Sequence, residues 1–374
     1  MKIGIITITE GANYGNRLQN YAMQELLKSL GYECETIKRI TLRDVKGVQL
    51  TKQVFKECVK VLLRRKNTHF SYRRRKKRFE VFNKKYICFS CFSTENNEAP
   101  SGLKENYDYF VCGSDQIWNA KFAVVNCDLK NHLASFADPS QRVAFAASFG
   151  TNSIAPGYED VFKEELDKFK AIAVREEAGK KIVDNLLEKD NTEVVLDPTL
   201  LIDRKQWINI EKKPKYIGDE KFAVTYFLGG RSDKIQEHIN VLADKNGIKA
   251  INLESEVLED KDITDNSIFE TDPAEFVWLI HHAEYILTDS FHACAFSVVF
   301  EKPFVVFERV AVEKNNNMGS RIDTLLSKFN LDDCRDDLES PTRIPAVHDY
   351  TEGYKQLEIE RKKAIDFLKK ALED

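Results

Sequence analysis

Several short polar clusters in this sequence directly follow apolar runs, and their residue types suit the handling of an anion and a polyhydroxylated partner. Thr288-Asp289-Ser290-Phe291-His292 follows EYIL and opens a run of small residues, ACAFSVVF. Free N–H groups and the helix dipole at such a start attract a phosphate, and His292 could hydrogen-bond to it or donate a proton. The competing reading is a structural histidine at a helix start. Arg175 ends the run AIAV, where a guanidinium can grip a carboxylate or phosphate with two parallel hydrogen bonds; alternatively it pairs with Glu176 and Glu177, which suit a first helical turn. Arg309 after FVVF and Arg321 in NMGSR add positive charge to an anion site or serve as salt-bridge partners.

Other clusters point elsewhere. In Gly113-Ser-Asp-Gln-Ile-Trp-Asn119, the side chains of Ser114, Asp115 and Gln116 could hold a sugar with Trp118 as a stacking face. Equally, Ser114 or Asp115 could cap a helix with Trp118 in the core. Gly11-Ala-Asn-Tyr-Gly-Asn16 links a strand to a helix, but it is not GxGxxG, so dinucleotide binding is not supported. Ser148 lies in AASFG rather than the sharp GxSxG elbow of a hydrolase and is at most a hydrogen-bond donor. His281-His282 read as helix C-terminal capping residues, and no HxxxH spacing occurs, so no metal is expected. Cys88 and Cys91 form a CxxC without the context of a redox motif or a second CxxC for zinc, and read as ordinary thiols.

The elements that must position these residues alternate between short β-rich runs and helical patterns, which predicts parallel, doubly wound sheets. Strands are expected at Ile3–Thr9, Tyr109–Cys112, Val143–Ala147, Ala171–Val174 and Val194–Leu196, and again at Phe222–Leu228, Lys249–Leu253, Tyr285–Thr288 and Phe304–Phe307. Helices are expected at Arg17–Leu30, Glu177–Leu187, Asp233–Lys245, Pro273–His281, Ala293–Phe300 and Tyr354–Leu372. The two sets form two Rossmann-like halves, residues 1–205 and 206–374, the first carrying a basic helical insertion at about 50–85. Open α/β sheets bind ligands beyond the carboxyl ends of their strands, which is where the polar clusters fall.

A chain of 374 residues has room for two domains. The start MKIGIITIT reads as a first strand rather than a signal peptide, and no apolar run spans a bilayer, so a cytoplasmic protein with reduced cysteines is expected. Net charge is −4, yet residues 64–78, RRKNTHFSYRRRKKR, hold no acid. That block reads as an amphipathic helix with a solvated basic face, or as a contact for anionic membrane headgroups or a lipid-linked substrate. Nucleic acid is not expected, since the chain is acidic overall and no nucleic-acid motif accompanies the block.

The segments NYGNRLQNYA (13–22), YDYFVCGSDQIWN (107–119), AVREEAG (173–179), VLDPTLL (195–201), LTDSFHACAF (287–296), KPFVVFER (302–309) and NMGSRI (317–322), in this order, resemble the polysaccharide pyruvyl transferases. The resemblance implies two Rossmann-like domains facing across a cleft, the GT-B-like arrangement. It also implies transfer of a pyruvyl group from phosphoenolpyruvate to a sugar of a cell-surface polysaccharide or its lipid-linked precursor, with a ketal formed, phosphate released and no cofactor. In such enzymes an Arg at a strand end and an Arg-x-His stretch hold the donor. Arg175 matches the first and His292 the His, while Ser290 stands where the second Arg is found. The donor set implied is Arg175, Ser290, Phe291, His292, Arg309 and Arg321. The acceptor set is Asn16, Ser114, Asp115, Gln116 and Trp118, with His292 as acid and Asp115 or Asp289 as base. A nucleotide-sugar glycosyltransferase of the same fold, or a non-catalytic glycan-binding relative, is the alternative.

Overall fold

Seven parallel strands form the first sheet: β1 (Lys2–Ile6), β2 (Glu33–Ile40), β3 (Phe89–Glu95), β4 (Tyr109–Cys112), β5 (Arg142–Ala147), β6 (Ala171–Val174) and β7 (Glu193–Val194), in the order β3-β2-β1-β4-β5-β6-β7. A second parallel sheet holds β8 (Phe222–Phe227), β9 (Lys249–Glu254), β10 (Ile286–Thr288) and β11 (Phe304–Val306), in the order β11-β10-β8-β9. The structure, a computed structural model, describes residues 1–40, 68–95, 97–120, 129–229, 231–255, 265–309, 319–336 and 350–373. Every residue of RVAFAA in β5 and FAVTYF in β8 is buried, as befits strands covered on both faces. The expected fold class, two Rossmann-like domains in a GT-B-like arrangement, is the one observed. β2 (ECETIKRI) and β3 (FSCFSTE) were not anticipated, because neither carries the apolar run of a central strand.

An aromatic seam joins the domains. Tyr14, at the start of helix Tyr14–Ser29, stacks on Phe276 at 4.5 Å between ring centroids and meets Tyr226 edge-on at 5.4 Å. Trp207, in the connecting helix Arg204–Ile210, lies between Tyr21 of the first domain and Phe296 of the second. Pairs of this kind contribute about 0.5–1.5 kcal/mol each beyond the area they bury.

The basic helix Thr68–Tyr86 crosses this seam, and it corrects the expectation of a wholly solvated basic face. Arg75 is fully buried. It lies over the Tyr14 ring and donates to the carbonyls of Ala12 in the first domain and of Glu254 and Phe269 in the second. Arg74 pairs with Glu270 at 2.6 Å, and Arg78 with Asp272 at 3.1 Å and with Glu275. Arg73, Lys76 and Lys77 face outward, and the rest of the block, 64–67, lies outside the described residues. No helix among the described residues is long and apolar enough to cross a membrane.

The last helix, Tyr350–Glu373, was expected with the second domain but reaches back to the first. Arg361 donates to the carbonyls of Leu200 (2.7 Å) and Ile202 (3.0 Å), Phe367 stacks on Phe145 of β5, and Glu373 accepts from the Tyr32 hydroxyl at 2.7 Å.

Candidate active site

The loops after β4, β5, β6 and β7 converge at the carboxyl edge of the first sheet. After β4, Gly113 adopts φ 132, and a Cβ there would strike the Phe145 backbone. Asp115 sits in the left-handed region at φ 67, a conformation that costs a non-glycine residue energy and is found where surrounding contacts impose it. Gln19 of the first helix braces the turn by accepting from the Ser114 N–H at 3.2 Å and donating to the Thr7 hydroxyl at 2.8 Å. The Ser114 hydroxyl donates to Asp197 Oδ2 at 2.6 Å, which brings the loop after β7 to the same point. Arg175, following β6, donates to that same Asp197 oxygen at 2.7 Å and lies 3.5 Å from Asp115 Oδ1. Arg175 and Asp197 side chains are both 0% exposed.

The second domain contributes from the opposite side. Helix Phe291–Val299 starts directly after β10 and presents Phe291 and His292. The Arg175 guanidinium lies 4.8 Å from the centre of the Phe291 ring, a cation–π contact across the domains. His292 Nε2 faces Asp197 Oδ2 at 3.8 Å, and the other side of its ring packs so closely on Gly15 that a Cβ at that position would overlap the imidazole. Arg321, in the first turn of helix Ser320–Lys328, is buried; the Gln116 amide, oriented by its partners, accepts from its two terminal nitrogens at 3.0 and 3.1 Å. Glu176 accepts from the Ser148 hydroxyl (2.9 Å) and the Phe149 N–H (3.0 Å).

Burial dominates the electrostatics of this cluster. Asp197 is held down at about 2: burial opposes its charge, but attraction to His292 and Arg175, with hydrogen bonds from Ser114 and the Thr199 N–H, prevails. His292 is also shifted downward, since burial outweighs the pull of Asp197 and Asp115. A neutral imidazole attracts Asp197 only weakly, so Arg175 is the partner that keeps Asp197 ionised at neutral pH. Arg321 is lowered to about 9 by burial and by repulsion from Arg175 and Arg309. Glu176 moves upward through burial, against the pull of Arg175 and Arg321. Guanidiniums from both domains and carboxylates of the first are thus crowded into one buried space, where the charge state of each group depends on its neighbours.

The structure brings together Ser114, Asp115, Gln116, Arg175, Phe291, His292 and Arg321. Ser290 is buried beside them as the N-cap residue of the His292 helix, its N–H donating to the Thr288 hydroxyl at 2.9 Å. Asn16, half-buried in the first turn beside Gly15, has its N–H capped by Asn13 Oδ1 at 3.3 Å. Three expectations are revised. Trp118 is no stacking face: it is buried against Phe149 and Phe169 and donates weakly to the His132 carbonyl at 3.4 Å, the core alternative. Asp289 is not placed as a base: its carboxylate accepts from the N–H groups of Leu228 (2.6 Å) and Gly229 (2.8 Å) and pairs with Arg309 at 3.3 Å, so it braces the loop after β8. Arg309 is correspondingly tied to Asp289 and acts on the cluster through its charge on Arg321. Asp197 and Gly15 belong to the site but were given no role from sequence, while Glu176, read there as a pairing partner of Arg175, lies 3.9 Å from its guanidinium. Asp197 was visible only as the polar residue ending the run VVL, and Gly15 only as a turn glycine. A separate cavity of about 510 Å³ lies near the amino ends of β6 and β7 against the last helix, away from this cluster.

No curated protein matches the chain by sequence. Solved structures with a similar course of the chain include the UDP-GlcNAc 2-epimerase from Neisseria meningitidis bound to UDP-GlcNAc (11% identity, 100% of this chain and 99% of that one, TM-score 0.46). The UDP-GlcNAc 2-epimerase from Methanocaldococcus jannaschii (15% identity, 96% and 99%, TM-score 0.42) and a spinosyn rhamnosyltransferase (8% identity, 98% and 96%, TM-score 0.39) are also similar. The family model for polysaccharide pyruvyl transferase matches residues 13–309, a span that runs from the Asn13 cap through Arg175, Asp197 and His292 to Arg309. With most of its length and nearly all of its buried charge cluster inside that match, the chain belongs to the polysaccharide pyruvyl transferase family.

Proposed function

We propose that this transferase moves the pyruvyl group of phosphoenolpyruvate to two hydroxyls of a sugar in a cell-surface polysaccharide or its lipid-linked precursor. The supporting observation is the buried crowding of Arg175 and Glu176 from one domain against His292 and Arg321 from the other. Phosphoenolpyruvate carries both a carboxylate and a phosphate, and two guanidiniums with a helix N-terminus are suited to holding them. Arg321 takes the place of the cation that Ser290 does not supply.

In the reaction the donor methylene gains a proton, which makes C2 electrophilic. One sugar hydroxyl adds there, and a second displaces phosphate by breaking the C2–O bond. Of the two hydroxyl protons, one is balanced by the new methyl group and the other leaves on phosphate. His292 is neutral in the resting cluster, and an anion bound beside it raises its pKa. The donor would thereby help to protonate the group that serves as acid. Asp115, whose Oδ2 has no hydrogen-bond partner in the resting cluster, would accept a proton from an acceptor hydroxyl. Asp197 holds Arg175 in place. A lipid-linked acceptor would bring the protein to an anionic membrane surface through Arg73, Lys76 and Lys77; equal co-sedimentation with neutral and anionic liposomes would remove that part of the reading.

The test combines isothermal titration with phosphoenolpyruvate and phosphate release over a panel of sugars. Binding by the wild type that weakens at least about tenfold in Arg175→Ala and Arg321→Ala is expected, the loss typical of one charge-assisted contact. Absence of both binding and phosphate release in the wild type would overturn the reading.

A further inference from the structure

We propose that Glu211, His281 and His282 form a binding site for a borderline divalent cation of the zinc(II) type, separate from the transferase site. The three residues come from two elements. Glu211 caps helix Arg204–Ile210 in the connector between the sheets, and the histidines end helix Pro273–His282. Each offers a ligand atom, and these atoms lie within 4.8 Å of one another. Side-chain shifts of about 1 Å bring them to the mutual spacing of roughly 3.3 Å that a tetrahedral zinc ion with bonds of about 2.0–2.1 Å requires. His281 Nδ1 is hydrogen-bonded to Glu211 Oε2 at 2.7 Å, so the two groups already meet, and an ion would replace the proton between them as His281 shifts to the tautomer protonated on Nε2.

The second observation is the setting of His282. Its Nδ1 donates to the Trp278 carbonyl at 3.0 Å, and its ring stacks on the Trp278 indole at 4.2 Å. That hydrogen bond fixes the tautomer with a lone pair on Nε2, the arrangement found where histidines ligate metals. His281 is clamped by stacking on Phe300, with 4.4 Å between the ring centroids. The nearby Arg204 is paired with Glu301 at 3.3 Å. Two imidazoles and one carboxylate on a surface-open site suit zinc, leaving an outer position for water. The bound ion would fasten the interdomain connector to the second domain, whose Phe300 ends the helix that presents His292.

The experiment uses untagged protein carrying Cys88→Ser and Cys91→Ser, since those exposed thiols would compete for the ion. Zinc chloride is titrated calorimetrically, cobalt(II) absorption reports coordination, and melting is followed with and without zinc. One equivalent binding with micromolar or tighter affinity, a tetrahedral cobalt spectrum and a raised Tm are expected. Glu211→Gln, at a half-buried position, and His282→Gln, at an exposed one, should weaken zinc at least about tenfold while leaving the metal-free Tm within a few degrees. No zinc binding by the thiol-free protein, or equal affinity in both variants, would overturn the proposal.

Discussion

Charged side chains gather at the junction of the two domains in two contrasting regions, built on opposite principles. At the candidate active site, Arg175 and Asp197 pair with no solvent exposure, and Arg321 is buried a short distance away. Along the basic helix, Arg74 is 51% exposed and meets Glu270 at the rim, while Arg78, 36% exposed, reaches in to the buried carboxylates of Asp272 and Glu275. A buried pair costs desolvation on both sides, and breaking it strands a charge; a rim pair is solvated and screened. The first region therefore serves function at an energetic cost, and the second serves docking at little cost. Arg75 belongs to neither type, because its charge is satisfied by backbone carbonyls and aromatic faces instead of a carboxylate.

The largest effect that would break this contrast is catalytic. His292→Ala should lower kcat by about 10²–10⁴-fold in a phosphate-release assay while the rim variants stay near wild type. Next, Asp197→Ala should destabilise the protein by about 3–5 kcal/mol in urea unfolding, because it removes the nearest ionic partner of the buried Arg175 and leaves only the longer contacts to Asp115 and Glu176. A cost under about 1 kcal/mol would mean that the cluster is wetter than its burial implies. Arg75→Ala, which orphans buried carbonyls in both domains, should cost about 2–4 kcal/mol and should not respond to salt.

A fourth expectation concerns acid. His132 is buried and neutral, donating from Nδ1 to the Ile117 carbonyl at 2.8 Å, and burial and then Arg39 lower its pKa to about 3. An unfolded histidine titrates near about 6.5. The stability it contributes is therefore complete above that value and declines as pH falls toward about 3, by about 1.4 kcal/mol per pH unit. His132→Gln should flatten the stability profile between about pH 6 and pH 4. The smallest effect belongs to the rim: a double-mutant cycle on Arg74 and Glu270 should give a coupling below about 1 kcal/mol that vanishes in high salt.

How much of this was legible in sequence depended on where each residue's partner lies. The central strands announced themselves, since β5 and β8 are buried on both faces and read as apolar runs. β3 did not, because it is an edge strand rich in Ser, Thr and Cys, and β2 beside it carries charge along most of its length. Arg175 and His292 were legible as polar residues at strand ends. The role of Asp197 was not, because it consists of contacts to residues 83 positions before it and 22 positions before it, in Ser114 and Arg175. Trp118 illustrates the converse: a large aromatic in a polar motif looks like a platform until the packing of Phe149 and Phe169 is known. The basic block looked solvated because the acids that receive it, Glu270, Asp272 and Glu275, lie near the aromatic seam and almost two hundred residues further on.

The return of the last helix sets an order on biosynthesis. Phe145 of β5 and the carbonyls of Leu200 and Ile202 meet their partners only in Phe367 and Arg361. On the ribosome, the first sheet can assemble early, but the part of its face around Phe145 stays uncovered until the Tyr350–Glu373 helix has emerged. The second domain must by then have been made and placed so that the chain can return. Completion of the first half of the molecule thus waits until the chain has passed through the second domain to Arg361 and Phe367.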